Sequence, residues 1–308
     1  MSRLPSSLAP ALHLAPGARI ALVAPSGPFD REGLERAAER LRARYDVRYA
    51  PGIFERKGYL AGPDARRREE LLAAVADPDV TGIVAARGGY GLTRIVGAVD
   101  PAVVARRRPL LAGFSDITAL HAAWARAGVR SLHGSMAARM GSDPDDRLWA
   151  RWIAALEGAA PAPIPGLRAL APGRATGALV GGNLAVLAAL AGTPHAPPLD
   201  GALLFLEDTG EKPYRIDRML TQLRDAGWLA RVAGVVLGAF SECPPNADGV
   251  TVDDVLADLL GGLGVPVASG VPAGHLEDNL ELPLGSPATL DADAGTLVVH
   301  EGVSGPAS

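Results

Sequence analysis

Cysteine is almost missing from this chain. Cys243 stands alone among 308 residues, so no internal disulfide can form, as fits a reducing compartment. Aromatic residues are scarce at 5%, while hydrophobic residues make up 48%. Cores of that composition are filled by many small aliphatic side chains, as where helices pack on a mostly parallel sheet. No basic stripe interleaved with aromatics is present. The formal net charge is −4, and the runs Arg66–Arg68 and Arg106–Arg108 read as solvated helix faces or loops. Nucleic acid is not expected as a partner, because binding it needs clustered cations that displace counterions. Long apolar runs are lacking too. The longest, Ala178 to Ala191, is interrupted by Gly181, Gly182 and Asn183. It is too short to span a bilayer and reads as a buried helix entered through a glycine turn. Pro5, Pro10 and Pro16 break up the first nineteen residues, which hold no apolar segment of a secretory signal. The expectation is a soluble, cytoplasmic protein without a membrane partner. Neither an H-E-x-x-H motif nor a cysteine pair nor a close histidine cluster occurs, so no metal site is expected.

What is present is a repeated strand–turn–helix pattern. Arg19–Ala24 is an aliphatic strand closed by Pro25-Ser26-Gly27-Pro28, and Asp30 can cap the amphipathic helix that follows. Val47–Tyr49, Val80–Ala85, Leu110–Phe114 and Val129–Leu132 read as further strands, with helices from near Asp64 and over Ile117–Ala127. Strands alternating with helices predict a parallel sheet covered on both faces. Residues 157–177 are rich in proline and glycine and read as a linker, which places a domain boundary near residue 165. Beyond it come strands at Gly201–Leu206, Val232–Phe240 and Val265–Ser269, and helices at Tyr214–Ala226 and Val252–Leu260. A terminal hairpin follows at Ala288–Leu290 and Thr296–His300. This half reads as a smaller mixed α/β domain.

Several residues could carry chemistry. Ser115 sits between an apolar strand and a helix in Gly113-Phe114-Ser115-Asp116-Ile117, the place of a nucleophile elbow, although Ile117 replaces the second glycine of G-x-S-x-G. A helix N-cap is the plain alternative. Arg87-Gly88-Gly89-Tyr90-Gly91 ends a strand on the same sheet edge, where three glycines can offer backbone N–H groups to a negative oxygen. A simple tight turn would look the same. For a base, His133 follows a strand and His275 occupies a polar loop, and local sequence does not separate them. Glu207 closes the strand Leu203–Leu206, placed to orient an imidazole, although acidic residues at strand ends are commonly solvated turn formers.

Taken together these segments resemble the LD-carboxypeptidases, the serine peptidase family that also contains the microcin C immunity peptidases. The resemblance runs from about Gly17 to Val299. Its marks are Ala21–Pro28, Arg87–Gly91, Gly113-Phe114-Ser115-Asp116, Gly181-Gly182-Asn183-Leu184, Leu206-Glu207-Asp208 with Tyr214–Arg218, and Gly274-His275. It implies an N-terminal flavodoxin-like α/β domain over residues 1–165 carrying the nucleophile. A C-terminal swivelling β/β/α domain over 166–308 would carry the other two members of a triad, with the active site between the domains, in a homodimer. The triad it implies is Ser115, Glu207 and His275. The oxyanion donors would be the backbone N–H groups of Gly88 or Gly89 and of Asp116. Asn183, by its place in the family motifs, and His133 are assigned to substrate binding. The implied activity is removal of the terminal D-Ala from murein tetrapeptides, free or sugar-linked, during cell-wall recycling, with no cofactor. Where the family has proline after His133-Gly134, this chain has Ser135, a change in a wall of the substrate cleft. Two other readings stand beside this one. One is a microcin-immunity-type hydrolase of aminoacyl-nucleotide conjugates, for whose aromatic loop the short stretch from Pro194 to Gly201 leaves little room. The other is a non-catalytic binding module of flavodoxin-like fold.

Overall fold

The computed structural model describes residues 4–305. Its first half builds five strands of a six-stranded sheet. These are β1 (Arg19–Val23), β2 (Asp46–Arg48), β3 (Val80–Ala85), β4 (Leu110–Gly113) and β5 (Ser131–His133). All five pair in parallel, in the order 2-1-3-4-5, the flavodoxin-like winding. The helices are α1 (Arg31–Arg42), α2 (Asp64–Ala76), α3 (Pro101–Arg107), α4 (Thr118–Arg126), α5 (Ala137–Ser142) and α6 (Asp146–Leu156). Asp30 caps α1 as its position predicts, accepting the Gly33 N–H at 2.8 Å.

The second half builds a seven-stranded mixed sheet. In it β7 (Arg174–Asn183), β8 (Leu203–Thr209), β9 (Gly234–Ser241) and β10 (Val267–Ser269) run parallel, and β6 (Arg168–Ala171) closes one edge antiparallel. On the other edge lies the hairpin of β12 (Pro287–Asp291) and β13 (Thr296–Val299). Helices α7 (Leu184–Leu190), α8 (Pro213–Asp225) and α9 (Val252–Leu260) complete this domain. Leu203 and Phe205 face one core, Leu204 and Leu206 the other, the alternation a strand imposes. The second of these cores runs on through α4 and α7 into the first sheet.

Three expectations change. The stretch Ala178–Ala191 is a strand through Asn183 and a helix only afterwards. Its glycines serve close packing: a Cβ at Gly181 would lie 1.9 Å from the Phe205 carbonyl oxygen, and one at Gly182 would lie 2.5 Å from Thr118 Oγ1. The proline-rich stretch contains β6 and the start of β7, and Ile164 bridges to Leu297. Arg66–Arg68 is not simply a solvated face. Arg67 is fully buried, and the Pro25 and Gly91 carbonyls and Asp64 accept from its two terminal nitrogens.

A strand that the pattern did not announce, β11 (Leu282–Leu284), leaves the second domain and pairs antiparallel with β5 of the first. It is an edge strand, where Pro283 costs no ladder bond. The carboxyl edges of the two sheets therefore meet, joined also where the Asn183 N–H donates to Thr118 Oγ1 at 2.9 Å.

Candidate active site

Ser115 follows β4 directly and opens the short turn into α4. Its φ is 65°, the left-handed region that side chains other than glycine seldom adopt. Such a kink lifts the hydroxyl out of the chain's path, the geometry of an elbow. Gly113 allows it: a Cβ there would stand 2.9 Å from Ile117 Cγ1 and 3.1 Å from Ala85 Cβ. Ile117 thus fills the room that Gly113 leaves open, and one glycine suffices where the elbow motif has two.

Glu207 lies on β8 opposite Asn183 of β7 and is fully buried. His275 stands on the loop between β10 and β11, with 23% of its side chain exposed. Its Nδ1–H donates to Glu207 Oε2 at 2.8 Å, and its Nε2 faces Ser115 Oγ at 3.2 Å. The carboxylate side fixes the tautomer, leaving Nε2 free to take the serine proton. Phe114 packs on the imidazole, ring centres 4.8 Å apart. Gly274 lets the loop lie on Glu207, since a Cβ there would come within 2.8 Å of Oε2. Asn279 Oδ1 accepts the Gly274 N–H at 2.8 Å and shapes the loop.

The glycine turn faces this pair. A Cβ at Gly88 would lie 2.9 Å from Ser115 Cβ and 3.2 Å from its Oγ. Among the described residues the N–H groups of Gly88, Gly89 and Asp116 donate to no acceptor. The Asp116 carboxyl is buried and accepts the Leu92 N–H at 2.9 Å. Burial pushes its pKa above the usual carboxylate range.

Two pockets share Gly89, Ser115, Thr209 and His275 as a common wall. The larger, about 580 Å³, carries Arg87, Ser135, Arg139 and Leu276. The smaller, about 300 Å³, is lined by Tyr90, Thr93, Asn183 and Asp208, with no arginine or lysine among its described lining residues. Ser135 thus does line the cleft. Asp208 accepts from the Asn183 side chain at 3.0 Å and from the Ala185 N–H at 2.9 Å. Its pKa is pushed up to about 6, chiefly by burial.

Sequence reasoning left His133 and His275 level, and the structure separates them. His133 is fully buried beneath Phe114 and Phe205, lines neither pocket, and has no hydrogen-bond partner among the described residues for either ring nitrogen. Burial holds its pKa well below the ordinary histidine value. Its place is behind the site and not in a substrate's path. Asn183 does line the smaller pocket, yet much of its amide is already engaged: Oδ1 caps α7 by accepting the Val186 N–H at 3.1 Å, and Nδ2 serves Asp208. Arg139 was missed. Its signal was its position on the helix that follows β5, a strand ending on the active edge. Among the described residues no group of three or more metal-ligating side chains gathers, and no helix is long and apolar enough to cross a membrane.

A serine, an imidazole and a buried carboxylate stand in line at the wall of a cleft between two α/β domains, the arrangement that serine hydrolases use. The chain belongs to the LD-carboxypeptidase family. Residues 20–134 match the LD-carboxypeptidase N-terminal domain and residues 176–290 its C-terminal domain. A protein of Streptomyces coelicolor named as a carboxypeptidase is 47% identical over 298 residues, 93% of this chain and 94% of its own. The crystal structure of muramoyltetrapeptide carboxypeptidase from Oxalobacter formigenes is 33% identical, covers 91% of this chain and 97% of that one, and superposes with a TM-score of 0.80. The microcin self-immunity protein MccF, in complex with glutamyl sulfamoyl guanosine, has a TM-score of 0.84 over 98% of this chain and all of its own. At 22% identity that likeness is one of fold.

Proposed function

We propose that this protein is a serine carboxypeptidase that removes the terminal D-Ala of murein tetrapeptides, with Ser115 as nucleophile, His275 as base and Glu207 as its orienting acid. The carrying observation is the hydrogen-bonded line from Ser115 Oγ through His275 to Glu207, at 3.2 and 2.8 Å, on the cleft wall. His275 Nε2 takes the serine proton as Oγ attacks the scissile carbonyl, then passes it to the departing amine of D-Ala. Water repeats the cycle and frees the shortened peptide. The developing oxyanion is held by the N–H groups of Gly88 or Gly89 and of Asp116. Glu207 orients the imidazole and offsets the charge that the imidazolium gains.

A carboxypeptidase must also hold a free terminal carboxylate. Arg87 and Arg139 are the cations that line the larger pocket, and we assign that carboxylate to them. The reading carries with it a cytoplasmic setting in cell-wall recycling and a homodimer, the latter open to test by sedimentation.

The test is mass spectrometry of two tetrapeptides that differ only in the last centre. A terminal D-Ala should be released and a terminal L-Ala retained, because inversion exchanges the methyl for hydrogen and draws the carboxylate off its donors. A lost charge-assisted hydrogen bond alone is worth about 1.5–3 kcal/mol, or roughly 10- to 150-fold in rate. Equal hydrolysis of both would overturn the assignment. Arg139→Ala should raise KM for the D-Ala peptide and leave kcat nearly unchanged.

A further inference from the structure

The buried Arg67 has no part in the scheme above, yet all of its named partners belong to the active edge or to the base of α2. Its Nη1 donates to the Pro25 carbonyl and, at 3.0 Å, to the Gly91 carbonyl; its Nη2 meets Asp64 Oδ1 at 2.6 Å. A guanidinium wholly removed from water is costly to keep, and an aliphatic residue would fill this site in α2 at less cost. The charge is placed where two loops must be held together. Gly91, at φ 130°, gives it room, since a Cβ there would lie 2.6 Å from Nη1.

The loops it joins determine where the oxyanion donors point. Pro25 leads to Gly27, whose N–H donates to the Gly88 carbonyl at 3.0 Å. Every described peptide bond is trans. In a trans peptide the N–H points opposite to the C=O. Anchoring the Gly88 carbonyl on Gly27 therefore turns the Gly89 N–H away from that loop. At the far end of the turn, the Leu92 N–H is held by Asp116 Oδ2 at 2.9 Å. Asp116 supplies the second donor from its own backbone, so its carboxyl ties one half of the hole to the other.

We propose that Arg67 and the Asp116 carboxyl are positioning residues, a buried clamp that sets the distance and direction of the two oxyanion donors relative to Ser115. The proposal rests on the assignment of Ser115 as nucleophile. Arg67 lines neither pocket and the Asp116 carboxyl is committed to the Leu92 N–H, so both act on transition-state stabilisation and spare ground-state binding.

The test uses the full chain with a D-Ala-terminated tetrapeptide, and a peptidyl boronate whose tetrahedral adduct places an oxygen in the hole. Arg67→Met and Asp116→Ala should each lower kcat by about 10- to 100-fold, the scale of a donor displaced or lost. KM should stay within about threefold, as expected for an interaction made only in the transition state. Boronate affinity should fall by the same factor as kcat/KM. Asp116→Asn keeps an oxygen for the Leu92 N–H and should restore most of the activity lost in Asp116→Ala. Should Arg67→Met fail to fold, Arg67→Lys carries the same expectation, since one ammonium cannot reproduce the guanidinium's fork. Ser115→Ala keeps the two claims apart. Activity surviving in S115A removes the nucleophile and the clamp with it. S115A inactive while R67M and D116A retain wild-type kcat, or lose it without loss of boronate affinity, overturns the clamp alone.

Discussion

At Ser115 the backbone carries a strain that folding alone does not need. A side chain at φ 65° costs of order 1 kcal/mol relative to glycine, which enters the left-handed region freely. Ser115→Ala should therefore lose turnover by roughly 10⁴- to 10⁶-fold, the scale of a nucleophile knockout, while its melting temperature stays near that of the parent. Ser115→Gly should be as inactive and yet more stable than Ser115→Ala by about 1 kcal/mol, read by denaturant titration. Equal stability of the two variants would mean that the kink stores nothing. The turn at this residue was legible in the sequence because strand, turn and helix abut within seven letters. His275 and His133 were not separable in that way. One follows a strand and the other lies in a polar loop, and what distinguishes them is the burial of His133 against Phe205, a residue 72 positions further along the chain. The substrate-binding effect expected of a His133 variant accordingly gives way to an effect on stability.

At the scale of elements, β4, β5 and α4 are stitched together by another buried histidine. His121 Nε2–H donates to the Gly113 carbonyl at 2.9 Å, so Nδ1 accepts from the Ser131 hydroxyl at 2.8 Å. Burial lowers its pKa from 6.5 to about 4. Between those values the unfolded chain binds a proton that the native chain refuses, so stability falls as pH drops through the window from 6.5 to 4, by about 3 kcal/mol in full. His133 acts in the same direction. Asp208 opposes both: with its pKa raised from 3.8 to about 6, it adds stability as pH falls across that narrower range. His121→Gln should flatten the acid-side loss in urea midpoints measured at pH 7 and pH 4.5. An unchanged slope would show that His121 takes its proton in the native state as readily as in the unfolded one. Most elements of the first domain were readable from aliphatic runs and caps. The misread ones share a cause. In β7 the glycines at 181 and 182 look like a turn, and only the pressing neighbours Phe205 and Thr118 show why a strand needs them there. β6 and β11 are held by partners distant in sequence, β10 and β5, and carry little local signature.

The loop that bears His275 belongs by sequence to the second domain but is fastened to the first. Arg151 on α6 reaches Glu281 Oε2 at 2.8 Å, Asp278 Oδ1 at 2.5 Å and the Asn279 carbonyl at 2.9 Å, and Arg147 adds Asp278 at 3.1 Å. Arg151→Ala should lower kcat by about 3- to 30-fold through misplacement of the imidazole, with a larger loss at high salt if Arg147 takes over the remaining hold. Where that loop ends, β11 begins and is already part of the other sheet. A chain laced in this way does not divide into halves that each stand alone. A fragment of residues 1–165 would bring Ser115 and the glycine turn intact but leave Ser131–His133 as a bare strand edge, open to pairing with any neighbour. We expect that fragment to aggregate when expressed alone and to recover solubility when the remaining residues are supplied in trans. The unit of inheritance, and of any engineering by domain exchange, is the whole laced pair.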